Sequence, residues 1–500
     1  MVGENKPMET PWYRSRTFFL LSCLLLPPLA LVLLWMRRDS GIFRKLTFSA
    51  GLAVIFLAHL VGFYGLRMEV DGTGASPIFT FYNPESHIDA LETSRAEAAT
   101  GTVQAATVAP TIASGAAWTD YRGPNRDGVY TASAIRTDWP SGGLPEIWRQ
   151  TVGGGYASVV VADGKVFTIE QRREEEVVAA YDFNSGKELW TNSWKAQFEE
   201  SMGGPGPRAT PTWHEGRIYA LGGTGELRAL DAASGKLIWG KNILADNGAS
   251  NLTWAMSGAP LVVDDKLIVL PGGSSGKSIV AYNKDTGEPV WKSLNDSQAY
   301  TSPMLVTIAG KRQIVLISAA RLLGVDPADG SLLWDYPWKT SYDANCAQPL
   351  IVDEEHVFVS SGYGTGAALV KIVREGDGFR AEEVWKNNTM KNKFNSSVLH
   401  NGYVYGLDEG ILTCLDVKTG ERKWKDGRYG YGQVLLAGDH LILTSDKGEV
   451  ALVKATPDGY NEVARFEALK GQTWNYPAIA GGRLLVRNSN EMAAYDISAK

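Results

Sequence analysis

Two apolar runs, residues 17–36 ("TFFLLSCLLLPPLALVLLWM") and 46–66 ("LTFSAGLAVIFLAHLVGFYGL"), open a chain that is otherwise written in short alternating segments. At 1.5 Å per residue each run is long enough to cross a hydrocarbon core of about 30 Å as a helix. The second predicts a plain span. The first carries Pro27-Pro28 at its middle, which removes two backbone donors where no water can replace the bonds. It predicts either a kinked span or a re-entrant hairpin. Lys6, Arg14 and Arg16 precede the first run, Arg37, Arg38, Arg44 and Lys45 separate the two, and Arg67 follows. Basic residues favour the cytoplasmic side, and both arrangements export everything after residue 67. The expected location is therefore the bacterial inner membrane, with the bulk of the chain on the periplasmic side.

The expected organisation is a short basic N-terminus (1–16), a membrane anchor (17–67), a linker (68–117) and one large domain (118–500). Within the linker, "ESHIDALETSRAEAA" (85–99) reads as a short helix and the Thr/Ala/Pro-rich 100–117 as a tether without a core-forming pattern.

From Trp118 onward, pairs of apolar strands joined by Gly or Asp turns recur with a period near 40–50 residues, the sign of a β-propeller with four strands per blade. Eight inner hairpins can be read, at 158–169, 210–221, 259–270, 302–317, 348–359, 396–407, 433–444 and 476–486. A second phrase follows in most units: "YDFNSGKELW" (181–190), "LDAASGKLIW" (230–239), "YNKDTGEPVW" (282–291), "VDPADGSLLW" (325–334) and "LDVKTGERKW" (415–424). Its Asp or Asn can accept hydrogen bonds from turn amides, and its Gly allows the positive φ of the reversal. The Trp that ends it is a flat wedge able to pack on the neighbouring blade and to donate its N–H to a backbone carbonyl. Trp148, Trp190, Trp239, Trp291, Trp334, Trp385 and Trp424 are the expected docking residues, with Phe466 in that place in blade 7. The chain ends one strand short of a complete last blade. "PEIWRQTV" (145–152) is expected to supply that strand and so close the ring without an open edge. The fold class is all-β, an eight-bladed propeller behind an α-helical membrane anchor.

Composition adds exclusions. The chain has 54 Gly and 16 Trp, and its net charge of −6 argues against a nucleic-acid surface. Cys23, Cys346 and Cys414 form no CxxC or haem spacing, and the His residues no paired motif, so metal: none. Cys414 reads as a small buried apolar residue.

The repeated phrase resembles the tryptophan-docking repeat of the quinoprotein, or PQQ-like, β-propellers, and "WTDYRGPNRDGVY" (118–130) is similar to the lead-in of many proteins built from such repeats. The resemblance covers about 118–500 and implies two kinds of activity. One is the periplasmic dehydrogenase that holds pyrroloquinoline quinone (PQQ) and calcium (Ca) in the central funnel. The other is the compact non-enzymatic scaffold, such as the lipoprotein subunit of the outer-membrane β-barrel assembly machinery. This chain lacks the adjacent-cysteine ring and long insertions of many dehydrogenases, and no catalytic residue can be carried over. The scaffold reading ranks first: a membrane-anchored, exported propeller binding protein partners, with no cofactor. A PQQ- and calcium-dependent dehydrogenase of alcohols or sugars and a ligand-sensing propeller are the alternatives.

The residues entering the inner strands should surround one mouth of the channel: Tyr156, Arg208, Trp254, Tyr300, Asn345, Asn395, Tyr431 and Trp474. They either bind a partner or ligand or simply plug the tapered channel. "RREEE" (172–176) reads as a solvated hairpin tip and "WKNNTMKNKFN" (385–395) as an exposed loop.

Overall fold

The computed structural model describes residues 15–37, 40–70, 77–81, 87–93, 95, 117–200 and 202–499. They fall into two compact units, residues 1–87 and 88–500. Lys6, Arg14, Arg38 and nearly all of the 100–117 tether lie outside the described residues.

In the first unit the Pro-containing run is two helices, α1 (Arg16–Leu25) and α2 (Pro27–Met36), separated at Leu26 with φ −142° and ψ 67°. Proline disfavours helical geometry in the residue before it and cannot donate to the preceding turn, so the break falls there. Each helix has ten residues, about 15 Å, half of what a bilayer requires. Helix α3 (Ile42–Gly62) has 21 residues and is the one helix among those described that is long and apolar enough to cross a membrane. It starts four residues before the expected 46–66, taking Arg44 and Lys45 into its first turn. Leu66 is not its end: Leu66–Val70 pairs antiparallel with Pro77–Phe81. The first part of the expected linker is thus a hairpin.

The second unit begins with helical residues 88–93, in line with the Ala/Glu-rich pattern. Ile88 and Leu91 are buried, Asp89 and Glu92 pair with Arg173 at 2.6 and 3.1 Å, and Arg95 reaches Glu188 at 2.7 Å. The reading of "RREEE" as a solvated tip is corrected by these contacts. Arg173 is tied to the helix, Arg172 is buried between Glu170 and Glu188, and Glu176 is fully buried. Arg173, Glu174 and Glu175 face water, so the correction concerns the two flanking residues and not the tip itself. Position beside a hairpin tip says nothing of what packs over it.

Eight sheets follow, seven of four strands and one, blade 7, of five. Blade 1 is built from Val160–Ala162, Lys165–Arg172, Glu175–Asp182 and Glu188–Lys195, and the later blades repeat that meander. Blade 8 takes its outer strand from the start of the domain. Glu146–Thr151 runs antiparallel to Glu491–Asp496, with Trp148 opposite Ala494. Arg149 secures the seam on Glu491 at 2.6 Å.

The repeated phrase is explained strand by strand. The small residue two before the Asp is the cross-strand partner of the Trp: Ala180↔Trp190, Ala229↔Trp239, Ala281↔Trp291, Gly324↔Trp334 and Cys414↔Trp424. A register shift follows directly after each of them and re-aims the ring toward the next blade. Indole N–H groups then donate across the blade boundary: Trp148 to Phe183 O (3.0 Å), Trp190 to Ala232 O (3.3 Å), Trp239 to Lys284 O (3.0 Å) and Trp291 to Pro327 O (3.2 Å). Trp385 reaches Val417 O (2.9 Å) and Trp424 Thr456 O (2.8 Å). Trp334 differs. It packs among blade 5 residues such as Val359 and Val370, yet its N–H turns back to Gln313 Oε1 of its own blade at 2.5 Å. Blade 5 lacks the Asp turn, so no carbonyl is offered in the usual place.

The Gly of the turn has two reasons to be Gly. Its φ is positive, 75° at Gly287, and a Cβ there would lie 2.8 Å from the Trp239 ring. Gly186, Gly330 and Gly420 stand in the same relation to Trp148, Trp291 and Trp385. Each indole buries about 150–250 Å², an upper bound near 4–6 kcal/mol at about 25 cal/mol per Å².

The lead-in segment fills much of the channel. Trp118 pairs with Val161 of blade 1, Thr119 O accepts from Trp213 N of blade 2, and Val129–Tyr130 lies parallel to Gln433–Ala437 of blade 7. Between these points, Arg126 donates to the carbonyls of Ala259 (3.1 Å), Pro260 and Pro303 (2.9 Å). Arg122 donates to Ser397 O at 2.8 Å. Both arginines hold a left-handed backbone, φ 58° and 65°, at a cost of about 1–2 kcal/mol each that the buried hydrogen bonds offset.

Candidate functional site

The segments that enter the inner strands gather at one mouth of the channel, where the side chains form a belt of aromatic rings interrupted by cations. Tyr156 meets Trp474 (centroids 5.1 Å apart), Trp474 meets Phe394 (5.0 Å), and Phe394 meets Tyr431 (5.6 Å). Lys393 Nζ lies 4.7 Å from the Tyr431 ring and 5.1 Å from that of Tyr363. Tyr363 touches Tyr342 (5.5 Å), and Trp254 packs on Tyr300 (5.7 Å). Arg208 sits over Tyr156 at 5.4 Å and over Phe198 at 4.7 Å.

Six of the eight expected residues, Tyr156, Arg208, Trp254, Tyr300, Tyr431 and Trp474, are in this belt. Asn345 and Asn395 are fully buried beneath it. Asn345 donates to Ser318 O (2.9 Å) and Trp338 O (3.3 Å) and accepts from Ser361 Oγ (2.7 Å). Asn395 accepts from Asn392 Nδ2 at 2.8 Å. Asn345 fastens strand ends as a satisfied buried amide, whereas Asn395 leaves its Nδ2 without a hydrogen-bond partner among the described residues. Phe198, Tyr342, Tyr363, Lys393 and Phe394 were not anticipated. Lys393 and Phe394 fall in the 385–395 stretch, and an aromatic-basic pair one and two positions before the Asn395 entry point was the available signal.

Burial sets the electrostatics. Arg208 donates to Gly204 O (2.8 Å) and Gly206 O and pairs with Glu200 at 3.5 Å, and burial lowers its pKa. The phenols of Tyr300 and Tyr363 are pushed up by burial. Burial also raises the Cys346 thiol to about 12, against the opposing influence of Lys393. A thiol protonated at neutral pH is no nucleophile, and no base stands within hydrogen-bond reach of it. Glu176 lies beside this mouth, its carboxylate accepting from Gly223 N (2.8 Å) and Trp194 Nε1 (3.1 Å), with burial pushing its pKa up to about 7. Ala255, Asp343 and Tyr363, beside the belt, hold positive φ of 67°, 54° and 57°.

The donor set does not suit a calcium ion. Among the described residues no three His, Cys, Asp or Glu side chains converge. Three acids near the mouth are hydrogen-bonded: Glu176 as above, Glu200 by Met202 N (2.7 Å), Gly203 N and Arg208, and Asp446 by Tyr431 N (3.2 Å); Asp343, beside Tyr342, is exposed. The belt itself is a set of π-faces and two cations, side chains suited to recognition.

Eight blades joined by tryptophan docking, with the first strand closing the last blade, define a PQQ-like β-propeller. The chain belongs to the family described as outer membrane protein assembly factor BamB, whose pattern matches residues 173–426. BamB of Yersinia pestis is 24% identical over 323 residues, 61% of this chain and 78% of that protein. Quinohemoprotein alcohol dehydrogenase of Comamonas testosteroni is 33% identical over 147 residues, 28% of this chain. This chain spans 20% of that enzyme's length and 25% of the related ADH-IIG of Pseudomonas putida. In structure, BamB from Moraxella catarrhalis superposes with a TM-score of 0.52 at 15% identity, covering 71% of this chain and 98% of that one. ADHIIG of Pseudomonas putida gives 0.54 at 14% identity, covering 77% and 81%. Both branches of the class therefore share this fold.

Proposed function

We propose that this protein is a membrane-anchored, exported propeller scaffold that binds protein partners in envelope assembly, in the manner of the BamB relatives. The observation that carries the reading is the aromatic and cationic belt from Trp254 through Tyr156 to Tyr363. Tyr342 is 66% exposed at its edge, and Tyr, Trp and Arg are the side chains that dominate protein interfaces. Helix α3 supplies the anchor, holding the propeller on the periplasmic face of the inner membrane.

A photo-crosslinking residue at Tyr342 or Trp254 of the full chain, expressed in its own cells, tests this. Adducts to outer-membrane assembly proteins are expected, reduced when Arg208 or Lys393 is replaced by Met. Stoichiometric uptake of PQQ and Ca²⁺ by the purified full chain, with dye reduction by alcohols or aldoses, would instead establish the dehydrogenase.

A further inference from the structure

In an antiparallel hairpin every second residue points its N–H and C=O away from the partner strand. The inner strand of each blade turns that unpaired edge to the channel. The register places the outward position next to the turn at Val161 in blade 1, Trp213 in blade 2, Val262 in blade 3 and Thr307 in blade 4. The corresponding residues are Ile351 in blade 5 and Leu436 in blade 7.

Three of these six are taken by the chain's own lead-in. Trp118 exchanges two bonds with Val161 (2.9 and 2.8 Å), Thr119 O accepts from Trp213 N (2.9 Å), and Gly128 O accepts from Leu436 N (2.9 Å). The other three, Val262, Thr307 and Ile351, have no backbone partner on that side among the described residues. Leu399 in blade 6 and Ile479 in blade 8 stand in the same place, also without such a partner among the described residues. They lie outside the cavity of about 690 Å³ that Val262, Thr307 and Ile351, on consecutive blades, all line. The lead-in forms one wall of it, from Thr119 to Asp127, without reaching these three edges: Arg126 ties the segment to the loops entering blades 3 and 4, and the chain then turns back to blade 7. The aromatic belt precedes the inner strands, whereas these positions end them, so the cavity opens at the opposite mouth.

We infer that this cavity receives an extended segment of a partner polypeptide, bonded by its backbone to the strand edges at Val262, Thr307 and Ile351. The protein itself shows the mode of recognition, since Val129–Tyr130 already adds as a strand to the edge of blade 7. The walls, including Met304 and Leu350, suit apolar side chains at alternate positions. The half-buried carboxylate of Asp127, also in the lining, suits a basic residue at one end. Burial raises the Asp127 pKa, so a cation beside it gains from an incompletely compensated charge. Strand edges sealed from water by a ligand without backbone groups would leave N–H and C=O unsatisfied, which selects a peptide over an apolar small molecule. This reading goes beyond the aromatic mouth and stands or falls separately from it.

The test uses the full chain in detergent micelles and a fluorescein-labelled Lys-Val-Thr-Val-Thr-Val peptide, beside a twin N-methylated at alternate backbone amides. The plain peptide is expected to bind, and the twin to bind about tenfold more weakly or worse. Thr307→Pro, which deletes an edge N–H at a position where a strand tolerates proline, is expected to weaken the plain peptide similarly. The peptide pair leaves the protein unaltered, so the comparison survives a variant that folds poorly. A benzophenone side chain at Leu305 is expected to crosslink to the probe. Equal binding of the two peptides, no binding up to about millimolar concentration, or a crosslink to the chain's own residues 97–116 overturns the inference.

Discussion

Gly287 and Gly310 separate two effects that usually arrive together. Their φ angles are 75° and 73°, so an Ala at either position meets the same backbone penalty, about 1–2 kcal/mol for a non-Gly residue in the left-handed region. Their surroundings differ. A Cβ on Gly310 meets nothing within 4 Å, whereas one on Gly287 falls 2.8 Å from the Trp239 ring of the preceding blade. That ring cannot slide away without breaking its 3.0 Å bond to Lys284 O, so Gly287→Ala carries a further overpacking cost of about 1–3 kcal/mol. In a domain of this size class each kcal/mol moves the thermal midpoint by about 2 °C. Gly287→Ala should therefore melt about 2–6 °C below Gly310→Ala when the full chain is scanned under identical conditions. In a Trp239→Ala background the excess should vanish, leaving the two alanine variants equivalent, because the coupling resides in that one contact. Equal melting of the two single variants, or an excess that persists without the indole, refutes the account of why the repeat pairs its Gly with a Trp.

Three other expectations follow from buried groups. Glu176 binds its proton more tightly folded (about 7) than unfolded (ordinarily near 4.5), so it makes stability fall as pH rises between those values and leaves it level above them. Glu176→Gln should flatten the melting-temperature slope between pH 5 and 7, and an unchanged slope assigns the titration elsewhere. Arg126→Met strips hydrogen bonds from three buried carbonyls and leaves Asp120 without its 2.9 Å partner. It should cost about 3–5 kcal/mol and speed amide exchange in the inner strands of blades 2–4, while unaltered exchange there means the lead-in is not structural. Cys346, raised to about 12, should resist iodoacetamide at pH 8 in the folded protein and react on unfolding. Alkylation of the native thiol at the rate of a free cysteine contradicts its burial.

The blade count, the outer turn, the inter-blade Trp and the closing strand were all legible before any coordinates. Each is signalled by local alternation and by a phrase of about ten residues that recurs from blade to blade, even where the partner it meets lies far along the chain. The same proximity rule marks where reading the sequence ended. Nothing near Trp334 announces Gln313 as its partner, because the reason lies in the missing turn of the next blade. "RREEE" is solvated at its middle three residues, while Arg172 and Glu176 at its ends are buried, because their partners Glu170, Glu188, Gly223 and Trp194 lie elsewhere in the chain. Asn345 and Asn395 occupy the expected entry points but point inward, and the rotation of one side chain about a strand end has no signature in spacing.

The sequence alone decided that this chain holds a closed ring of eight braced sheets and, near its start, an apolar helix long enough to cross a membrane, because alternation and turn chemistry act over a few residues. Only the tertiary structure decided what the ring presents. Convergence at a mouth joins Tyr156 to Trp474 across more than three hundred positions. The lead-in likewise satisfies some channel edges and leaves others vacant. Which distant groups end as neighbours is fixed by ring closure and by the need to pair buried backbone, and neither is written in any single stretch of the chain.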